Sequence, residues 1–226
     1  MNPIERQKQL AGEEAISFIK NGMTIGLGSG STVNMMLKAL GERVQEGLNI
    51  KGIPTSLQTE ELAHEYGIPL TRFADIEQMD VAIDGADEVD DHLNLVKGGG
   101  GCLVREKIVA AAAKQLIIIV DESKLVPHLG AFPLPIEVVS FGWEFAAKRI
   151  AELGSEPQLR KGGNGDIFVS DNGNYILDCA FHELRQPKQL HAQLKAMVGV
   201  VDTGLFVGMA DRVIVATGDG INMKHA

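Results

Sequence analysis

The stretch IGLGSGST, Ile25–Thr32, decides how the first half of this chain folds. Glycines alternate at Gly26, Gly28 and Gly30, and two hydroxyl residues, Ser31 and Thr32, follow at once. The preceding GMTI has the composition of a strand and the following VNMMLKAL that of a helix. A glycine turn opening a helix presents backbone N–H groups and the positive end of the helix dipole, which together favour a phosphate. Both nucleotide motifs fail here. A dinucleotide fingerprint needs a third glycine where Ser31 stands and an acid closing the second strand, which reads IPTS. A P-loop needs Gly-Lys-Ser/Thr, and the chain has no such triplet. A small phosphate monoester remains, against a plain tight turn with Ser31 or Thr32 as N-cap.

Outward from this loop, helices and strands alternate. Ile4, Leu10, Ala11, Phe18 and Ile19 suit one face of an opening helix. A strand is expected near residues 23–27 and a helix from Ser31. NIKGIPTS then reads as a strand and LQTEELAHEYG as a helix ended by Gly67. MDVAIDGADEVD holds a buried strand running into acids, LVREKIVAAAAK is a strong helix former, and QLIIIVD is a buried strand. Short β-branched runs between helices imply a parallel sheet covered on both faces. Prolines and glycines in GAFPLPIEVV mark a boundary near residues 127–135. Beyond it come a helix near 142–153, a hairpin in DIFVSDNGNYILDCAF turning at Asp171–Asn174, and a helix after Pro187. GLFVGMADRVIVATGDG returns to buried strands that can rejoin the first sheet. The expected division is a large α/β domain, residues 1–130 and 204–226, around a small α+β domain, residues 131–203.

The 226 residues are 45% apolar and carry a net charge of −9. That charge disfavours nucleic acid, which wants a basic face, yet permits an anionic ligand held by backbone amides. No apolar run approaches the roughly 20 residues of a membrane span, and MNPIERQKQL lacks the apolar segment of a signal peptide. A cytoplasmic protein with no membrane partner is expected. Two cysteines and six scattered histidines make neither a disulfide framework nor a metal-ligand pair, so no metal is expected.

Three further stretches carry candidate chemistry. In DGADEVDD, Asp84 closes a strand at the carboxyl edge of the sheet, where open α/β sheets bind ligands. Asp84 and Asp87 stand around Gly85, suited to hold sugar hydroxyls or move protons. Glu88, Asp90 and Asp91 read as a solvated loop. In KGGGGCLVREK, four consecutive glycines, Gly98–Gly101, cost chain entropy, and close approach of backbone to ligand accounts for them better than a linker does. Lys97 stands at the mouth of that loop. Glu106 falls in the first turns of the next helix, where an exposed acid is favoured by the dipole in any case. Arg105 and Lys107 read as solvated, and Cys102 as a small packed residue. Lys124, in VDESKL, follows a buried strand and by itself reads as a surface lysine.

Taken in order, GLGSGST, DGADE, KGGGG, REK, DESK, FPLPIEV, DNGNYILD and GLF closely resemble the type A ribose-5-phosphate isomerases over nearly the whole chain. The resemblance implies a Rossmann-like parallel-sheet large domain, a smaller ferredoxin-like α+β domain and a homo-oligomer, dimer or tetramer. It implies interconversion of ribose 5-phosphate and ribulose 5-phosphate in the pentose phosphate pathway without a cofactor. Glu106 then matches the catalytic base, Asp84 and Asp87 the paired aspartates, and Lys97 the active-site lysine. Ser29, Gly30, Ser31 and Thr32 match the substrate loop; Gly85, Ala86 and Gly98–Gly100 line the same substrate, with Lys124 a further contact and Lys8 an N-terminal phosphate contact. Ser29 stands where a threonine is common, which keeps the hydroxyl.

The chemistry suits these types. An aldose–ketose isomerase needs one base to move a proton between adjacent carbons and donors to hold the enediolate oxygens, roles for Glu106 and for Lys97 with glycine amides. The furanose must open first, a proton transfer that falls to Asp84, while Asp87 holds hydroxyls. Two other classes fit less well. A sugar-phosphate sensor of the repressor type would carry a helix-turn-helix, and the phosphate loop at residue 26 leaves no room before it. An amino-sugar deaminase calls for an acid/base set with no match here.

Overall fold

The computed structural model describes residues 2–181 and 183–226. In chain order the elements are α1 (Pro3–Ile16), β1 (Thr24–Leu27), α2 (Ser31–Gln45), β2 (Lys51–Pro54), α3 (Leu57–Glu65), β3 (Val81–Asp84), β4 (Glu88–Val89), β5 (Leu95–Val96), α4 (Leu103–Ala112) and β6 (Leu116–Asp121). Then follow β7 (Leu134–Val138), α5 (Trp143–Ala151), β8 (Glu156–Leu159), β9 (Tyr175–Ala180), α6 (Pro187–Lys195), β10 (Val200–Thr203), β11 (Leu205–Phe206), β12 (Arg212–Thr217) and β13 (Gly220–His225). They pack into two compact units, one of residues 1–86, 105–124 and 208–226, the other of residues 87–104 and 125–207.

The first unit is Rossmann-like. Its six-stranded sheet has the order β13-β12-β6-β3-β1-β2, parallel except for β13, which returns antiparallel on β12. Alternate residues Ile25, Leu27, Val81, Ile83, Ile117, Ile119 and Ile214 join one apolar cluster with Val33, Met36, Leu37 and Leu40 of α2 and Ala11 and Ala15 of α1. Gly26 points to the opposite face, where a Cβ would collide with Val109 of α4. Helices therefore cover both faces, as the continuous apolar strands require. The expected apolar face of α1 holds in part: Ala11 and Ile19 are buried in this cluster, and Leu10 and Phe18 pack against it. Ile4 is half exposed, the helix ends before Phe18 and Ile19, and the buried positions are Gln7, Ala11, Gly12 and Ala15. The reason is close helix packing: a Cβ on Gly12 would lie 2.9 Å from the Met36 backbone nitrogen.

The second unit holds a four-stranded antiparallel sheet in the order β10-β7-β9-β8. With α5 between β7 and β8 and α6 between β9 and β10, this is the ferredoxin-like βαββαβ arrangement. Its core gathers Leu134, Ile136, Val138, Ile150, Leu177, Cys179 and Leu194. A three-stranded ribbon, β11-β5-β4, belongs to the same unit. Residues 87–104, expected with the large domain, pack in this unit because β5 pairs with β11 and the Lys97 N–H donates to the Gly204 carbonyl at 2.8 Å. The turn at Asp171–Asn174 forms, with the Ser170 N–H donating to Asn174 at 2.9 Å. The run before it is no regular strand: β9 pairs with β7 and β8, and residues 161–169 double back with isolated bridges only. Three glycines in RKGGNGD favour a loop there.

Candidate active site

Because β1, β3 and β6 are parallel, their carboxyl ends share one edge of the large sheet. That edge carries the loop Gly28–Thr32, the segment Asp84–Ala86 and the turn Glu122–Lys124. Gly30 is the N-cap of α2 and Ser31 its first helical residue, and no side chain caps the amides there. The N-cap role considered for Ser31 or Thr32 is thus not used. Ser31 is exposed, Thr32 is buried, and the Lys8 ammonium donates to Ser31 Oγ at 2.9 Å. A cation, a hydroxyl and open helix-end N–H groups make a site for a dianion.

Asp84 is 3% exposed and built into this edge. Its Oδ1 accepts the N–H groups of Ser29 at 3.0 Å and Gly85 at 2.8 Å. Gly28 has to be glycine: a Cβ would sit 2.6 Å from the Asp84 Cα. The Ser29 hydroxyl lies among those of Thr55 (2.7 Å), Ser56 (2.9 Å) and Thr59 (3.1 Å), and Thr59 Oγ1 donates to the Gly28 carbonyl at 2.8 Å. Thr55, Ser56 and Thr59 were not among the sequence candidates. The signal was present in IPTS, whose hydroxyls close the strand beside β1.

Glu106 is 5% exposed in the first turn of α4, so it is not the solvated acid that the helix dipole alone would explain. Arg105 and Lys107 are half-buried rather than solvated. Lys124 ends a short 3-10 turn after β6 and is half-buried too.

In the second unit, the Asp87 N–H donates to Val96 and its Oδ2 accepts the Gly99 N–H, both at 2.8 Å. Asp87 thus holds the glycine loop. Lys97 is 2% exposed, with its ammonium 5.5 Å from the Phe206 ring centroid. Gly98 and Gly101 take positive φ, +100° and +83°, a backbone region that side chains resist. Gly99 and Gly100 are exposed. Of the three acids expected on a solvated loop, Asp91 is exposed, but Glu88 and Asp90 are not. Glu88 is buried and accepts the N–H groups of Gly130 (2.7 Å) and Phe132 (2.6 Å), and Asp90 is buried and accepts those of His92 (2.9 Å) and Asn94 (2.8 Å). These carboxylates satisfy loop donors that would otherwise be unpaired. Cys102 is half-buried, its Sγ 3.6 Å from the Gly100 carbonyl. Burial and then the nearby Asp178 push the Cys179 thiol up, which makes it a packed residue and not a nucleophile.

Known proteins match this chain along its whole length. The family model for ribose 5-phosphate isomerase A (phosphoriboisomerase A) matches residues 51–220. Ribose-5-phosphate isomerase A of Bacillus mycoides is 54% identical over 215 residues, covering 95% of this chain and 97% of the relative. A solved D-ribose-5-phosphate isomerase in complex with phospho-erythronic acid superposes with a TM-score of 0.97 at 40% identity, covering 100% of both chains. Ribose 5-phosphate isomerase A from Methanocaldococcus jannaschii superposes at 0.94 with 39% identity, covering 98% of this chain and 99% of that one. A buried aspartate and a buried glutamate, a two-unit fold and these matches agree: the chain belongs to the ribose 5-phosphate isomerase A family.

Proposed function

We propose that Glu106 carries the proton in the reaction of this family, the interconversion of D-ribose 5-phosphate and D-ribulose 5-phosphate through an enediolate. The chain is an aldose–ketose isomerase, and such an enzyme needs one base that serves both C1 and C2. The observation that carries the assignment is the burial of Glu106, 5% exposed, five residues beyond a glycine loop. A proton held there is shielded from bulk water between its removal and its return.

The other roles follow from residue type. Asp84, fixed by two backbone N–H groups, transfers the proton that opens the furanose. Asp87 orients hydroxyls. Lys97 and the glycine amides, Gly98–Gly100, hold the charge that develops on the enediolate oxygens; donors aimed at such charge are commonly worth roughly 100- to 1,000-fold in rate. The open amides of α2, Ser31, Thr32 and Lys8 take the 5-phosphate, with Ser29, Gly85, Ala86 and Lys124 completing the substrate contacts. Binding energy from the phosphate then positions C1 and C2. Phospho-erythronic acid, the ligand of the 40% identical relative, joins a phosphate to a carboxylate that imitates enediolate charge, and is expected to inhibit this chain.

Among the described residues, no three His, Cys, Asp or Glu side chains group to hold a metal. The proposed route is proton transfer without a cofactor. Deuterium placed at C2 should appear in part at C1, diluted by solvent hydrogen, with EDTA present or absent. Full retention of label, together with loss of activity in EDTA that a divalent metal restores, would replace this route by a hydride shift.

The same proposal includes a homo-oligomer in the cytoplasm. Phe141 (93% exposed), Val198 (88%) and Phe145 (60%) give the second unit apolar surface to bury. Sedimentation velocity at micromolar concentration distinguishes monomer, dimer and tetramer. Among the described residues no helix is long and apolar enough to cross a membrane.

A further inference from the structure

A loop of four glycines has no side chains with which to hold itself. Whatever orders Gly98–Gly101 must reach it from elsewhere, and fixing each glycine is entropically costly. Asp87 grips one amide. On the other side stands Arg160, which no role in the reaction uses. Its Nη1 donates to the Gly98 carbonyl at 2.8 Å and to the Gly99 carbonyl at 3.1 Å. Its Nε donates to Asp178 Oδ2 at 2.9 Å and its Nη2 to Asp178 Oδ1, a fork-to-fork pair. The Arg160 side chain is only 12% exposed.

Arg160 is itself tied to the sheet. Its N–H donates to Ile176 of β9 at 2.9 Å, and Asp178 lies two residues further along that strand. Its carbonyl accepts the Phe168 N–H at 3.0 Å, and the Phe168 ring lies 5.8 Å from the guanidinium. The same ring fills the space where a Gly101 side chain would project. One residue thus meets a strand carboxylate, an aromatic ring and two glycine carbonyls.

We infer that the Arg160–Asp178 pair is a positioning clamp for the glycine loop. In a trans peptide the carbonyl and N–H point in opposite directions. Holding the Gly98 and Gly99 carbonyls on the arginine therefore turns the Gly99 and Gly100 amides away from it. The Gly99 amide meets Asp87, and the Gly100 amide, on an exposed residue, is presented to a ligand. Asp178 sets the plane of the guanidinium, so the fork reaches the carbonyls in one orientation. Lysine could hold the charge of Asp178 but not this geometry. The clamp acts through the loop, and it rests on the proposed role of that loop in holding the enediolate.

The test compares Arg160→Gln, Arg160→Lys, Asp178→Asn and Lys97→Gln, each first checked for folding by circular dichroism and thermal melting. Misplacing a catalytic group by about 1 Å costs on the order of 100-fold. Arg160→Gln should lose roughly that in kcat, with KM for ribose 5-phosphate moving much less. Arg160→Lys should fall between it and the parent, and added methylguanidinium should restore part of the activity of Arg160→Gln. If Arg160→Gln does not fold, Asp178→Asn, which keeps the side-chain shape, carries the same expectation. A folded Arg160→Gln or Asp178→Asn with kcat within about three-fold of the parent overturns the clamp, as does a loss explained wholly by the unfolded fraction. Lys97→Gln separates the two claims: if it too stays near parent activity, the proposed role of the loop falls, and if it alone collapses, only the clamp does.

Discussion

Asp84 Oδ1 accepts the Ser29 backbone N–H at 3.0 Å, joining the ends of two neighbouring parallel strands through one carboxylate. The bond sets the glycine loop against the aspartate, and it leaves no volume at Gly28.

Gly28→Ala is the direct probe of that fit. The new Cβ would collide with the Asp84 carboxylate, which two backbone N–H groups hold in place, and would lie 2.6 Å from the Asp84 Cα, well inside contact distance. Overpacking of this kind costs about 1–3 kcal/mol. The variant should melt several degrees lower and lose on the order of 100-fold in kcat/KM, since Asp84 and the loop move together. Parent-like kinetics would mean that the spacing between loop and carboxylate does not matter to catalysis.

Glu106→Gln keeps size and hydrogen-bonding capacity but removes the proposed base. Loss of a general base costs roughly 100- to 10,000-fold in rate. Turnover should collapse by that factor, while phospho-erythronic acid, titrated calorimetrically, binds with nearly unchanged affinity. Activity within a few-fold of the parent would remove Glu106 from the proton path.

Lys8→Met tests the proposed phosphate site. The Lys8 ammonium lies 2.9 Å from Ser31 Oγ beside the uncapped start of α2. A charge-assisted hydrogen bond contributes about 1.5–3 kcal/mol. KM for ribose 5-phosphate should therefore rise about 10- to 100-fold with kcat little changed, the pattern of a binding contact equal in ground and transition states. Unphosphorylated ribose should be a very poor substrate for parent and variant alike. An unmoved KM would place the phosphate elsewhere.

Asp80 supplies a pH dependence of stability. Its carboxylate accepts the Thr24 N–H at 3.0 Å and the Lys114 ammonium at 3.0 Å, and in that order these hold it below the ordinary carboxylate value. The folded state thus favours the ionised form. This stabilisation is fully present above about pH 4, the unfolded value, and is lost as pH falls through the lower folded value. Both partners are partly exposed, so salt should weaken the effect. Melting temperatures of parent and Asp80→Asn should differ at pH 7 and converge toward pH 3 in low salt. A constant gap across that range would contradict the linkage.

Much of the large unit was legible along the chain because its signals are local. IGLGSGST lies between a strand period and a helix period, and QLIIIVD can hardly be anything but a buried strand. Other elements carry no such signal. β8, EPQL, has neither alternation nor branched residues and is a strand because β9 pairs with it. β4, β5 and β11 are two residues each, too short for periodicity, and exist as a ribbon joining residues far apart in sequence. That ribbon takes residues 87–104 into the second unit.

By itself the sequence determined the family, the order of strands and helices in the large unit and the residue types that isomerase chemistry requires. Each of these rests on neighbours in the chain, since periodicity, glycine turns and motif order are local properties. Only the tertiary structure decided which acids serve as struts. Glu88 and Asp90 look like solvated charges in DGADEVDD but are buried on backbone donors, while Ser29 depends on hydroxyls about 30 residues away and Gly98 on an arginine 62 residues away. The energy of a polar group is set by its burial and its partners, and both are supplied by segments that folding, not sequence proximity, brings together.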